Sequence, residues 1–206
     1  MEKIDKATRK IFSNSRMELD FFMYLPTGVM NGFSTVSINC NPILYLRYKQ
    51  NKYVHEQYDY SKAAYKITPR NLYHVIEFFN TIMKWFYDDK YSDLFLLNDE
   101  NDIIFNADYN KLSVSTPRGD YDQCIMQAIP TVVRLGDKLY EGIHLYINSS
   151  IYCIPLTYQE VSIIFGILRN FSFTQEMMNV LLSTRYIVET NAFMSRDQFD
   201  GKTPFD

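Results

Sequence analysis

The sequence predicts an α+β fold: duplicated antiparallel sheet-plus-helix units gathered into one compact domain. Three observations carry that expectation. Short runs rich in β-branched and aromatic residues alternate with turn residues over most of the chain. Two amphipathic stripes each open on a threonine able to cap a helix. The stripes also match at an offset of 89 residues, so that Ile67, Thr68, Leu72, Val75, Ile76, Phe79 and Ile82 fall on Leu156, Thr157, Val161, Ile164, Phe165, Leu168 and Phe171. Any two amphipathic helices align to some degree; the shared cap and the apolar pair bracketing it favour duplication.

Taken in order, residues 1–20 carry charges every few positions around Ile4, Ile11 and Phe12, and read as a polar arm or helix. FSTVSIN at 33–39 and ILYLRY at 43–48 read as a hairpin turning at Asn41 and Pro42. The Tyr-rich polar stretch at 49–66 is a long hairpin arm or a loop. Thr68 then reads as an N-cap, with Pro69 at the first helical position and Ile67 and Leu72 as a hydrophobic staple. The helix runs to about Tyr87 with Leu72, Val75, Ile76, Phe79, Met83 and Phe86 on its apolar face.

Strands at 94–97, 103–107 and 111–115, divided by the turns 98–102 and 108–110, read as a meander. Further strands lie at 124–134, 140–147 and 150–154, with turns at Gly136-Asp137 and 148–150. Thr157 and Glu160 then form a capping-box pattern, and Leu156 and Val161 staple the second helix. A third helix spans 174–186. The organisation expected is an arm at 1–20, a duplicated domain at 21–188 with units near 33–90 and 91–171, and a loose tail at 189–206.

Composition narrows the function. With 47% hydrophobic and 16% aromatic residues, 7 Gly and 7 Pro, the chain has ample core material and is not of low complexity. Cys40, Cys124 and Cys153 stand at unrelated spacings without a C-x-x-C element, which fits a reducing cytoplasm. The charged start lacks the apolar core of a signal peptide, and no run approaches the roughly 18 apolar residues of a membrane span. His55, His74 and His144 sit at no triad or ligand spacing, and there is no glycine-rich phosphate loop. The carboxylate groups Asp88/Asp89 and Asp99/Glu100/Asp102 lack the Gly and closing Glu of a calcium loop and read as solvated turns. The sequence therefore nominates no catalytic residue, metal ligand or cofactor, and the protein is expected not to be an enzyme.

Charge is unevenly spread: the total is −3, but residues 47–70 carry +4 and residues 88–122 carry −6. In the basic stretch Tyr45, Arg47, Tyr48, Lys49, Lys52, Tyr53, Lys62 and Lys66 interleave rings with cations, the pattern that grips single-stranded nucleic acid by stacking and phosphate pairing. A solvated hairpin whose tyrosines pack on their own sheet has the same pattern. In the acidic stretch Asp93, Asp99, Glu100, Asp102 and Asp108 repel nucleic acid and suit a basic protein surface. Simple solubility is the alternative there.

A strand meander closed by a helix, occurring twice, resembles the PC4/Whirly-like fold over about residues 33–171. GIHLYINSSIYCIPLTYQEVSIIFGILRNF, from Gly142 on, is similar to the second unit of small phage proteins of this type. Frequent Asn, Ile, Lys and Tyr, residues with A/T-rich codons, fit an AT-rich genome. The whole chain looks like early proteins of large phages of low-GC Gram-positive hosts, one group of which binds the host primary sigma factor. The resemblance implies a regulator in the host cytoplasm that binds sigma factor or RNA polymerase and alters promoter use. Single-stranded DNA binding is the alternative; promoter DNA and a homodimer are compatible further partners, and a membrane is not expected. The chain departs from the DNA-binding version in being net acidic, with its basic cluster confined to one unit.

Overall fold

The first sheet is laid down by alternation. In β2 (Met17–Tyr24) Met17, Leu19, Phe21 and Met23 are fully buried, the period of two that sends successive side chains to opposite faces. β1 (Lys6–Ser13) leads into it through a turn in which Asn14 Oδ1 accepts the N–H groups of Arg16 and Met17, each at 2.8 Å. The computed structural model describes residues 6–24, 42–48, 64–117, 125–147 and 153–183. Over its described part, the expected arm or helix at 1–20 is thus a strand and the start of the next. Arg9 and Lys10 lie exposed on an edge strand, where cations discourage pairing with another chain.

β3 (Ile43–Tyr48) and β4 (Ala64–Ile67) complete the sheet in the order β1-β2-β3-β4. The last pair is antiparallel, with Leu44 opposite Ile67 and Leu46 opposite Tyr65, all four buried. The strand expected at 33–39 lies outside the described residues, as does the tail at 189–206.

α1 (Leu72–Tyr87) follows and buries Val75, Phe78, Phe79, Ile82, Met83 and Trp85. Thr68 is not its cap. Residues 68–71 form a preceding turn in which Asn71 N–H donates to the Thr68 carbonyl (3.2 Å) and Thr68 N–H donates to Asn71 Oδ1 (2.7 Å). The helix therefore begins later, with Asn71 at the N-cap position.

The strands after α1 do not make one meander. β5 (Phe95–Leu97) and β6 (Ile103–Phe105) form their own two-stranded sheet, whereas β7 (Val114–Ser115) pairs with the next long strand. That second four-stranded sheet has the order β10-β9-β8-β7, with β8 (Met126–Leu135), β9 (Lys138–Ile147) and β10 (Cys153–Thr157). A two-residue turn joins β8 to β9, and Gly136 supplies the φ of 60° at its first position. Gly142 is required for a different reason: a Cβ there would overlap the Leu156 carbonyl oxygen and come within 2.7 Å of Val133 Cγ2.

β10 passes directly into α2 (Tyr158–Asn170), and α3 (Phe173–Ser183) ends the described chain. Thr157 and Glu160 make the expected capping box, with Thr157 N–H on Glu160 Oε2 at 2.9 Å and Glu160 N–H on Thr157 Oγ1 at 3.4 Å. The two helices agree in part: Val75 and Phe79 of α1 and their counterparts Ile164 and Leu168 of α2 are all buried, whereas Leu72/Val161 and Ile82/Phe171 differ in burial and the cap expected at Thr68 is not shared. A four-stranded sheet followed by a helix thus occurs twice, as the resemblance to PC4/Whirly proteins implies.

The chain divides into two compact units. One comprises Met1–Arg9, Phe21–Ile43 and Ser172–Asp206; within it the Phe21 and Phe173 rings lie 6.2 Å apart and Arg9 Nη1 pairs with Glu176 Oε2 at 2.8 Å. The other comprises Lys10–Asp20 and Leu44–Phe171, where α1 packs on α2. Each large aliphatic or aromatic side chain buried in such a core contributes about 1.5–3 kcal/mol.

Within the second unit the Glu160 carboxylate also accepts from Asn14 Nδ2 at 2.8 Å and pairs with Arg16. Arg16 Nε and Nη1 are buried without a hydrogen-bond partner among the described residues, and Glu160 is the counter-charge that the guanidinium meets there. Glu160→Ala removes a helix cap and strands a largely buried cation, and should lower the unfolding free energy in urea by about 2–4 kcal/mol. A loss below about 0.5 kcal/mol, the scatter of an ordinary surface substitution, would show that this carboxylate holds nothing together.

Candidate functional site

β5 and β6 are too short to bury both faces. Phe95 pairs with Phe105, Leu96 with Ile104 and Leu97 with Ile103. Phe95 turns inward and stacks on Phe86 of α1 at 5.8 Å with the rings nearly parallel. Leu96 and Ile104, cross-strand partners on one face, remain 40% and 41% exposed, and Leu97 66%. Leu96 and Ile104 thus form a small exposed aliphatic pair on one face of the hairpin, and Leu97 lies on the other.

The turn closing this hairpin is built by Asn98. Its Oδ1 accepts the N–H groups of Glu100 (3.0 Å) and Asp102 (2.8 Å), while its own N–H donates to the Asp102 carbonyl at 3.0 Å. Asn101 takes the left-handed conformation, φ 61°, that asparagine tolerates better than most residues. Asp99, Glu100 and Asp102 are therefore held exposed within four residues, beside the exposed leucines.

Asp93 and Asp108, also expected on this face, sit at the hairpin's base. Asp93 Oδ1 accepts the Tyr109 hydroxyl at 2.5 Å, and that bond, more than any charge nearby, raises the Tyr109 pKa above its ordinary value. Asp108 is exposed on the short 3-10 turn Ala107–Tyr109, whose cap is Asn106. The acidic set thus splits into three tip carboxylates, one that fastens the base and one beside it.

Of the basic and aromatic set, Tyr45, Arg47, Tyr48 and Lys66 are among the described residues. Tyr45, Arg47 and Lys66 share the outer face of the first sheet, with Tyr45 directly opposite Lys66. Arg47 is committed within that sheet: Nη2 pairs with Asp20 Oδ2 at 2.6 Å and Nε with Glu18 Oε1 at 3.3 Å. Glu18 also receives Lys10 at 3.3 Å. Asp20 is 4% exposed, so releasing Arg47 to a phosphate would leave a buried carboxylate without its cation. Tyr48 ends β3, while Lys49, Lys52, Tyr53 and Lys62 lie outside the described residues. Sequence reading missed Glu18 and Asp20 as partners because it paired 43–48 with 33–39 and read residues 1–20 as an arm or helix; the alternation Met17, Leu19, Phe21, Met23 was the available signal for the strand that lies beside β3.

A second feature escaped the sequence altogether. At the C-terminal end of α1 an open depression of about 200 Å³ has Phe86, Asp88, Asp89, Tyr91, Phe95 and Glu141 in its lining. It shares Phe95 with the hairpin. Among the described residues no group of three or more His, Cys, Asp or Glu is placed to hold a metal, and no helix is long and apolar enough to cross a membrane.

On the outer face of the second sheet His144 lies beside Tyr146, ring centroids 6.3 Å apart, with Cys153 opposite Tyr146. Burial lowers the His144 pKa and raises that of the Cys153 thiol. A histidine whose folded pKa lies below its ordinary 6.5 binds fewer protons folded than unfolded, so stability falls as pH falls through and below that value. The unfolding free energy should decline more from pH 7 to about pH 5 in the parent than in His144→Gln, measured by urea titration. Parallel pH profiles would show that His144 titrates alike in both states.

No protein-family model matches the sequence, and no curated protein matches it at a significant level. Among solved structures, one described as that of the plant transcriptional regulator PBF-2 aligns over 92% of this chain and 89% of its own, with 14% identity and a TM-score of 0.29. A likeness of that degree transfers neither residues nor activity.

Proposed function

We propose that the protein is a non-enzymatic regulator that docks through the β5–β6 hairpin on a basic protein surface. The observation that carries this reading is the pairing of exposed Leu96 and Ile104 with a turn that presents Asp99, Glu100 and Asp102. Aliphatic contact supplies affinity, and the carboxylates supply steering and orientation toward a cationic partner. A surface that itself binds DNA has that chemistry, because it must be basic to approach phosphate.

The partner we assign is bacterial transcription machinery, either the primary sigma factor or RNA polymerase, with altered promoter use as the consequence and the host cytoplasm as the place. The phage-like character of the sequence and the acidity of the hairpin support this choice. Direct single-stranded DNA binding is disfavoured by the pairing of Arg47 with Asp20 and Glu18.

The test uses purified sigma factor and RNA polymerase from a low-GC Gram-positive bacterium, with affinity measured at two salt concentrations. Replacing Asp99, Glu100 and Asp102 together by Lys should weaken the complex by at least about tenfold, with the hairpin still folded. Unchanged affinity would overturn the docking surface. Failure of the parent protein to bind either component, combined with salt-steep binding of single-stranded oligonucleotides, would overturn the partner as well and favour DNA.

A further inference from the structure

We infer that the free edge of β5 receives an extended, cationic segment of the partner as a third strand of the β5–β6 sheet; the inference rests on the docking reading above and specifies its mode. Two hydrogen bonds fix which backbone groups face that edge. Asn98 N–H donates to the Asp102 carbonyl and Asn106 N–H to the Leu94 carbonyl, each at 3.0 Å. Hydrogen-bonded and non-bonded pairs alternate along an antiparallel ladder. Leu96 therefore bonds across to Ile104, while Phe95 and Leu97 turn their N–H and C=O groups away from β6. Among the described residues no hydrogen bond meets those outward groups. The other strand is occupied, since β6 lies against β8 and β9, so the open side of this two-stranded sheet is that of β5. Leu97 is 66% exposed there.

Charge selects the occupant. From Tyr91 to Asn110 the chain carries Asp93, Asp99, Glu100, Asp102 and Asp108 and no Lys, Arg or His. A second copy pairing edge to edge would set these carboxylates against one another, and nucleic acid is repelled by the same field. A strand bearing Lys or Arg meets neither obstacle. Because Leu97 adjoins the acidic turn, those cations belong at the end of the segment nearest the hairpin tip. An aliphatic residue opposite Leu96 would extend the exposed Leu96–Ile104 pair into a row of three. In strand addition of this kind main-chain hydrogen bonds give affinity, and alternate side chains give selectivity.

The probe is the peptide acetyl-Lys-Lys-Val-Thr-Val-Thr amide, titrated into the isotopically labelled full chain. It is compared with an analogue methylated at every backbone nitrogen, which keeps the side chains and charge but donates no main-chain hydrogen bond, and with the Glu-Glu peptide of reversed charge. Saturable shifts and slowed hydrogen exchange of the Phe95 and Leu97 amides are expected with the first peptide and not with the other two. Leu97→Pro removes an outward N–H and spares the Leu96–Ile104 bonds, so it should weaken the probe by about tenfold or more while the Leu96 and Ile104 amide signals report an intact hairpin. No saturable shift, or equal binding of the methylated analogue, overturns strand addition. Equal binding of the Glu-Glu peptide overturns the cationic occupant. Leu97→Pro should also weaken the complex with sigma factor or RNA polymerase by about tenfold. If it does not, while triple reversal of Asp99, Glu100 and Asp102 does, strand addition is wrong and the docking reading stands. If the probe binds and neither component does, the partner is wrong and the strand site stands.

Discussion

The Glu160 carboxylate is the point on which the larger unit depends. It closes the capping box of α2, receives Asn14 from the β1–β2 turn and pairs with the Arg16 guanidinium, which meets no other carboxylate among the described residues. One side chain thereby ties the first sheet to the start of the second helix. Such a junction is favourable because each partner would be costly alone: a helix N-terminus with free N–H groups, and a largely buried cation. The apolar faces of α1 and α2 can then pack with fixed register.

With that frame set, the β5–β6 hairpin stands out as an addition to the duplicated pattern rather than part of it. It pairs with neither four-stranded sheet. Phe95 stacks on Phe86 and β6 lies against β8 and β9, while Asn106 N–H to the Leu94 carbonyl at 3.0 Å and Tyr109 to Asp93 close the hairpin's own base. The tip is left exposed. A rigid base under an acidic, partly aliphatic tip is an arrangement suited to presentation.

Legibility in the sequence followed the range of the interactions. The Thr157/Glu160 capping box spans three residues and was readable, as were the stripe of α2 and the turn Gly136-Asp137. The start of α1 was misjudged because Thr68 and Asn71 are both good caps and form a turn with each other, which moves the helix start past Thr68. The N-terminal strands were hidden by their charges, although β2 alternates cleanly. Arg47 was readable as a cation but not as a committed one, since Asp20 reaches it only after the chain has folded into a sheet. The exposure of Asp99, Glu100 and Asp102 in a turn was readable from composition, whereas that of Leu96 and Ile104 was not, because a short strand's aliphatics look the same whether buried or exposed.

The most direct test excises the hairpin's outer part, replacing residues 96–104 with an Asn-Gly turn, and measures thermal unfolding and affinity for sigma factor and RNA polymerase on the same preparation. If the hairpin is a presented docking element on an independent frame, the midpoint should stay within about 4 °C of the parent, the equivalent of ~1 kcal/mol, while binding is lost. Retained binding would contradict the account outright. Collapse of the fold would contradict it equally, by showing that the hairpin serves the core rather than a partner.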